Sequence, residues 1–206
     1  MRADLSHADV PDRVRAAVLW RLYERAEIGL IHRYLPDGVD VVELGASLGV
    51  TACHALSVLG PDRRLVAVEA NPSLIGPLER CLDDPRATVV HAAIDYSGSP
   101  TAQLGVHSST LLSSVGGPGT TVDVPAVTLS ALLTTHGIGR FALLCDIEGA
   151  EAGILFDDPG SLERCELAII EQHGTDRATI ADLASRFSAC GFRAVDEARD
   201  TVVYVR

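Results

Sequence analysis

The sequence predicts one α/β domain built on a mostly parallel sheet with helices on both faces. Three observations carry this. Short apolar runs recur along the chain and are nearly continuous instead of alternating: VDVVEL, RLVAV, TVVHAA, FALLCDI and ELAIIE. Strands of that kind belong to sheets covered on both sides. Segments of helical length separate several of them, which is the order of βαβ units. The chain has 206 residues, 47% of them hydrophobic, enough for one sizeable core.

Residues from about 10 to 34 carry Val14, Ala17, Val18, Leu22, Ala26, Ile28, Leu30 and Ile31 at roughly helical spacing, and Pro36-Asp37-Gly38 ends the pattern. This divides the chain into an N-terminal helical segment, 1–36, and a main domain, 37–206. Within the main domain Val39–Leu44 reads as a strand and Thr51–Leu59 as a helix. Arg64–Val68 and Ser73–Leu82 repeat that order, and Thr88–Ala93 is a third strand. Phe141–Ile147 and Glu166–Glu171 are the fourth and fifth strands. Thr179–Cys190 is a helix ended by Gly191. Phe192–Val195 and Thr201–Val205 form a terminal hairpin, which brings an antiparallel strand to the sheet at or near its edge. The stretch Ser97–Thr121 breaks the rhythm. It is rich in Ser, Gly and Thr and reads as a loop placed to act as a lid.

The formal net charge is −11, which argues against nucleic acid or an anionic membrane as the main partner. All 17 basic residues are Arg, so lysine chemistry, such as a Schiff base or a phosphate-loop lysine, is excluded. Five cysteines lie far apart with no C-x-x-C pair. That speaks against a zinc site or a disulfide framework and for a reducing compartment, the cytoplasm. The opening MRADLSHADVPDR has no apolar run before its charges, unlike a secretory leader. No apolar stretch approaches the ~20 residues of a membrane span.

The first strand runs into ELGASLGVT. Gly45 and Gly49 bracket the turn into the following helix, with Ala46 and Ser47 between them. Glycines there let a ligand approach the backbone, and a helix amino end offers free N–H groups. A dinucleotide fingerprint would place glycines at 45, 47 and 50, but Ser47 and Val50 stand at the last two. The second strand ends in VEANP. Glu69 at its carboxyl end can accept both ribose hydroxyls of an adenosine, with Ala70 beside it. The plainer reading is a solvated strand-end acid. Glu43, inside the first strand, needs a partner. It either meets the ammonium group at the amino-acid end of a cofactor or braces the loop. After the third strand, Ala93 and Ile94 can flank adenine, and Asp95 is either an acceptor for its amino group or a turn residue.

The fourth strand leads into DIEGAE. Acids in a first helical turn offset the helix dipole, which accounts for Glu148 and Glu151 but not for Asp146 ahead of them. The fifth strand leads into EQH, where Glu171 and His173 share a face if the strand continues that far. Both strand ends open onto the ligand crevice of such a sheet, so Asp146, Glu171 and His173 can converge there. They can deprotonate a hydroxyl, or they can hold Mg²⁺ and lower the hydroxyl's pKa. A lone strand-end histidine is more often structural.

These pieces together resemble the FkbM family of methyltransferases. ELGASLG, VEANP, HSSTLLSS, VTLSALL, DIEGAE and IIEQH come in the family's order over roughly residues 38 to 173. The resemblance implies S-adenosylmethionine as cofactor, a Rossmann-like class I methyltransferase fold with seven strands, and O-methylation of a hydroxyl on a sugar or natural-product intermediate. It implies that Gly45, Gly49 and Glu69 carry the cofactor and that Asp146, Glu148, Glu171 and His173 face the reaction. Glu43, Ser47 and Leu144 stand where the family often has Asp, Asn and Lys. Little chain precedes the first strand to cover a substrate, so the acceptor is expected to be large or carrier-bound, or a second subunit completes its wall. The other function classes kept open are a nicotinamide-dependent oxidoreductase and a non-catalytic binding subunit on the same fold.

Overall fold

The first strand lies inside the sheet, next to its middle strand. In the computed structural model, which describes residues 25–106, 114–115 and 120–206, β1 (Asp40–Leu44) pairs in parallel with β2 (Leu65–Glu69) on one side and with β8 (Phe141–Cys145) on the other. β3 (Ala87–His91) extends the sheet beyond β2. Beyond β8 come β9 (Cys165–Glu171), β11 (Thr201–Val205) and β10 (Arg193–Ala198). The order is therefore β3-β2-β1-β8-β9-β11-β10. β11 runs antiparallel to both of its neighbours, so the antiparallel strand expected at or near the edge lies one place inside it. Between β1 and β8 the chain changes direction across the sheet. At such a point the turns after neighbouring strands diverge to opposite faces and leave a crevice.

Every residue of β1, β2 and β8 is buried, as their continuous apolar runs required. Their side chains divide by the two-residue strand period. Val41, Leu65, Ala67 and Ala142 face one layer, made by α1 (Arg25–Tyr34), α2 (Val50–Val58) and α3 (Pro72–Cys81). Val42, Leu44, Val66 and Leu143 face the other, made by α4 (Leu129–Thr135), α5 (Glu151–Asp157) and α6 (Ile180–Ala189). Local signals set the helix starts. Asn71 accepts from the Ser73 N–H at 3.0 Å ahead of Pro72, Thr128 caps α4, and Thr179 and Asp182 cap α6 reciprocally. α1 packs on α2 and on the β9–β11 side of the sheet. The expected helix before residue 25 lies outside the described residues.

The stretch read as a loop contains a strand. β5 (Thr101–Val106) pairs antiparallel with β7 (Thr120–Val127), from Thr101 opposite Pro125 to Val106 opposite Thr120. With β4 (Ala93–Ile94) and β6 (Ser114–Val115) they form a second, four-stranded sheet. Its small core is Ala93, Ala102, Leu104 and Val124. Most of the HSSTLLSS patch lies outside the described residues. Among the described residues no helix is long and apolar enough to cross a membrane.

Candidate active site

The turn after β1 is tied to the end of β2. The N–H groups of Gly45 and Ala46 both donate to the Val68 carbonyl at 3.0 Å, and the Ser47 N–H donates to the Glu69 carboxylate at 2.8 Å. The other oxygen of Glu69 accepts from the Asn71 N–H at 2.7 Å. These three turn amides therefore serve the fold and are not free donors for a ligand. The glycines of the turn admit close approach by the protein itself. Gly45 has φ +84°, and a Cβ there would lie 1.7 Å from the Asp146 carbonyl oxygen. Gly49 has φ +78° and starts α2. Ser47 takes φ +49° without being glycine, a costly conformation that a tightly bonded loop can hold.

Glu69 is buried, and burial pushes its carboxyl up while the N–H bonds from Asn71 and Ser47 oppose the rise. With the N–H of Ala70 as a further contact, three backbone donors meet this carboxylate, and its two oxygens offer about four lone-pair sites, which leaves capacity for another donor. Glu43 lies deeper. It accepts from the Thr51 hydroxyl through one oxygen, and its other oxygen, Oε2, is buried without a partner among the described residues. Burial pushes this carboxyl up to about 8. Asp95 accepts from the Ser97 N–H at 3.0 Å, which is the turn role weighed for it.

The DIEGAE segment turns sharply after β8. Glu148 has φ +52° and Gly149 φ +101°. The bend brings Asp146, Glu148 and Glu151 around His173, which follows β9. His173 Nδ1 lies 2.9 Å from Glu151 Oε1. Its Nε2 lies 3.9 Å from Asp146 Oδ1, 3.6 Å from Glu148 Oε2 and 3.6 Å from Glu171 Oε1. Glu151 sits in the core at 1% exposure, and its bond to the ring is the main reason the imidazole rises to about 9. Loss of hydration, then repulsion from Glu171, raises the Asp146 carboxyl to about 7. As 49% of its side chain meets solvent, water damps the size of that rise but not its direction. Burial also raises Glu171.

A family model described as Methyltransferase FkbM domain matches residues 43–194. The chain belongs to the FkbM methyltransferase family. This FkbM chain is also 34% identical over 89 residues to the ribosomal RNA small subunit methyltransferase H of Shewanella denitrificans, a match over 40% of this chain and 28% of that protein. Among solved structures it is similar to a TehB-like SAM-dependent methyltransferase from Corynebacterium glutamicum, with TM-score 0.54, 15% identity and 95% of each chain covered. It is also similar to Sp1610 of Streptococcus pneumoniae in complex with S-adenosyl-L-methionine, with TM-score 0.52 and 12% identity over 86% of this chain and 71% of that one. Those likenesses place the FkbM chain in the Rossmann-like methyltransferase fold.

Two crevices flank the DIEGAE turn of the FkbM domain. One is lined by Glu27, Glu43, Gly45, Thr51, Asp146 and Glu171, among others. The other takes in Ile94, Tyr96, Ile147, Glu148 and Arg177. Asp146 and Glu171 share the first crevice with Glu43 and Gly45, and His173 stands next to those two acids without lining either crevice. Ile94 is in the second crevice, while Ala46, Ser47, Gly49, Glu69, Ala70 and Ala93 line neither. Sequence reasoning assigned Glu151 to the helix dipole and missed its contact with His173. The partner lies 22 positions away, and only an acid beside an apolar AGIL run hinted at burial.

Proposed function

We propose that the chain transfers a methyl group from S-adenosylmethionine to a hydroxyl of a small or carrier-bound acceptor, a sugar or natural-product intermediate. One observation carries the reading. His173 Nε2 and Asp146 Oδ1 stand 3.9 Å apart at the carboxyl ends of adjacent strands, next to the glycine turn. A single oxygen can sit within hydrogen-bond reach of both.

Residues of this chain fit the cofactor. The orphaned, buried Glu43 Oε2 suits the ammonium of its amino-acid end, and the spare capacity of Glu69 suits its ribose. Gly45, Ala46, Ser47 and Gly49 would form the turn beside it, with Ala70, Ala93 and Ile94 toward the adenine. When bound, the cofactor supplies a methyl group already activated on a cationic sulfur. The protein then has to place an oxygen and manage one proton. Asp146, titrating near neutrality, accepts the hydroxyl proton. His173, held as an imidazolium by Glu151, turns its Nε2–H toward the developing negative charge. Glu171 and Glu148 hold the ring from the same side.

Calorimetry with S-adenosylmethionine tests the first half of this reading. Turnover of hydroxylated acceptors, read as transfer of a labelled methyl group, tests the second. The absence of cofactor binding at millimolar concentration would end the proposal.

A divalent cation is the second reading, favoured by one arrangement. Ligand atoms of Asp146, Glu171 and His173 lie within 4.8 Å of one another, and Glu151 fixes the imidazole from behind, as outer carboxylates do for metal-bound histidines. Mg²⁺ would lower the acceptor's pKa there. Activity lost to a chelator and restored by Mg²⁺ would support it.

A further inference from the structure

Two cysteines that the sequence keeps 28 positions apart meet directly behind the glycine turn. Cys53, on α2, and Cys81, the last residue of α3, bring their sulfurs to 3.1 Å. Both thiols are free, and both residues are only partly buried, so a small oxidant can reach them. The pair is bonded into the turn. The Gly49 carbonyl accepts from the Cys53 N–H at 3.0 Å, and the Cys81 sulfur lies 3.6 Å from the same oxygen. A Cβ at Gly49 would stand 3.4 Å from both Cβ and Sγ of Cys81, so the cysteine packs against the turn itself.

We propose that Cys53 and Cys81 form a reversible disulfide under oxidising conditions, and that this bond loosens the cofactor pocket; the second half rests on the function proposed above. The oxidant is a low-molecular-weight disulfide. The Cys53 thiol gives its proton to water, and the thiolate attacks one sulfur of the oxidant, expelling one small thiolate. Cys81 then loses its proton and attacks Cys53 Sγ, expelling the second. Two protein thiols become one disulfide, and the oxidant is reduced to two thiols. Cys53 is the first nucleophile, because the hydrogen bond from Cys81 favours its thiolate while burial and the same contact hold Cys81 protonated. A disulfide needs its sulfurs at about 2.05 Å, so closure draws α2 and α3 together by about 1 Å. The covalent loop encloses β2 and therefore Glu69, so the strain falls between the glycine turn and the carboxylate that holds it.

The test treats the full chain with oxidised glutathione, then alkylates it under denaturing conditions. The expected result is a mass lower by about 2 Da before alkylation, blocked labelling at Cys53 and Cys81, and a cross-linked peptide containing both. Calorimetry should show affinity for S-adenosylmethionine reduced by roughly threefold or more and restored by dithiothreitol, with Cys53→Ser unresponsive and Cys81→Ser halted at a glutathione adduct on Cys53. Five labelled cysteines after treatment, or a lasting glutathione adduct on Cys53, would overturn the disulfide. A disulfide without a change in affinity would overturn its effect on the pocket. If neither redox form binds the cofactor while the disulfide forms, the proposed function fails and the disulfide stands.

Discussion

The Glu69 carboxylate holds the Ser47 N–H at 2.8 Å, so the end of one strand grips the turn that follows another. The second oxygen of the same carboxylate holds the Asn71 N–H. Glu69 therefore shapes the pocket before any ligand arrives. Hydrogen bonds to a charged group contribute roughly 1.5–3 kcal/mol each. Glu69→Ala should weaken S-adenosylmethionine binding by about 10- to 100-fold and lower the melting temperature as well. Glu69→Gln should keep one of the two amide contacts and lose less. Calorimetry and thermal melts on both variants check this, and unchanged affinity in Glu69→Ala would remove the residue from the site.

Asp146→Ala and His173→Ala should each lower turnover by about 100- to 10,000-fold and move cofactor affinity by less than about threefold. Single-turnover kinetics separates the two effects. Full turnover in either variant would break the assignment of the proton to this pair.

Glu151 acts through His173. The bond between them raises the imidazole to about 9, and the proposed mechanism requires Asp146 ionised with His173 charged. The pH–rate profile should rise through about 7 and fall near 9. In Glu151→Gln the alkaline limb should move down by about one unit or more, with the acid limb nearly in place. A group whose pKa is raised in the folded state supports stability below its unfolded value of about 6.5 and loses that support as pH climbs through about 9. The variant should therefore also melt with less dependence on pH in that window.

Glu43 tests the opposite partner problem. Its carboxyl keeps its proton in the fold up to about 8, while the unfolded chain releases it in the ordinary carboxylate range. The unfolded state binds fewer protons across that interval, so stability falls as pH rises through it. Glu43→Gln should flatten that decline in the cofactor-free protein, seen as a smaller loss of melting temperature between pH 6 and pH 9. The same variant should bind S-adenosylmethionine more weakly. An identical decline in both proteins would mean that Glu43 is not the titrating group.

Gly45→Ala should destabilise the chain by at least about 2 kcal/mol, because the new methyl would meet the Asp146 carbonyl at 1.7 Å with backbone on both sides. Urea unfolding reads this directly.

The main sheet was legible because its strands are buried on both faces, so VVEL, LVAVE and FALLC show apolar runs that need no knowledge of their neighbours. The β5–β7 pair was not. TAQLGV and TTVDVPAV mix Thr, Gln, Gly and Pro, and their strand character comes from pairing with each other across a long connection. At the site, Asp146, Glu171 and His173 could be picked out because charge follows immediately on apolar strands. Glu151 and the Cys53–Cys81 pair could not, since each depends on a contact made across the fold and carries no local mark.

The close approach of Gly45 to the Asp146 carbonyl has a consequence for how such a scaffold can diversify. The glycine turn and Asp146 abut through main chain, and the Asp146 N–H is itself bonded to the Leu44 carbonyl at 3.0 Å. On the proposed function, alignment of the two reacting partners is thus inherited from the backbone between two neighbouring strands, and side chains farther out can change without altering it.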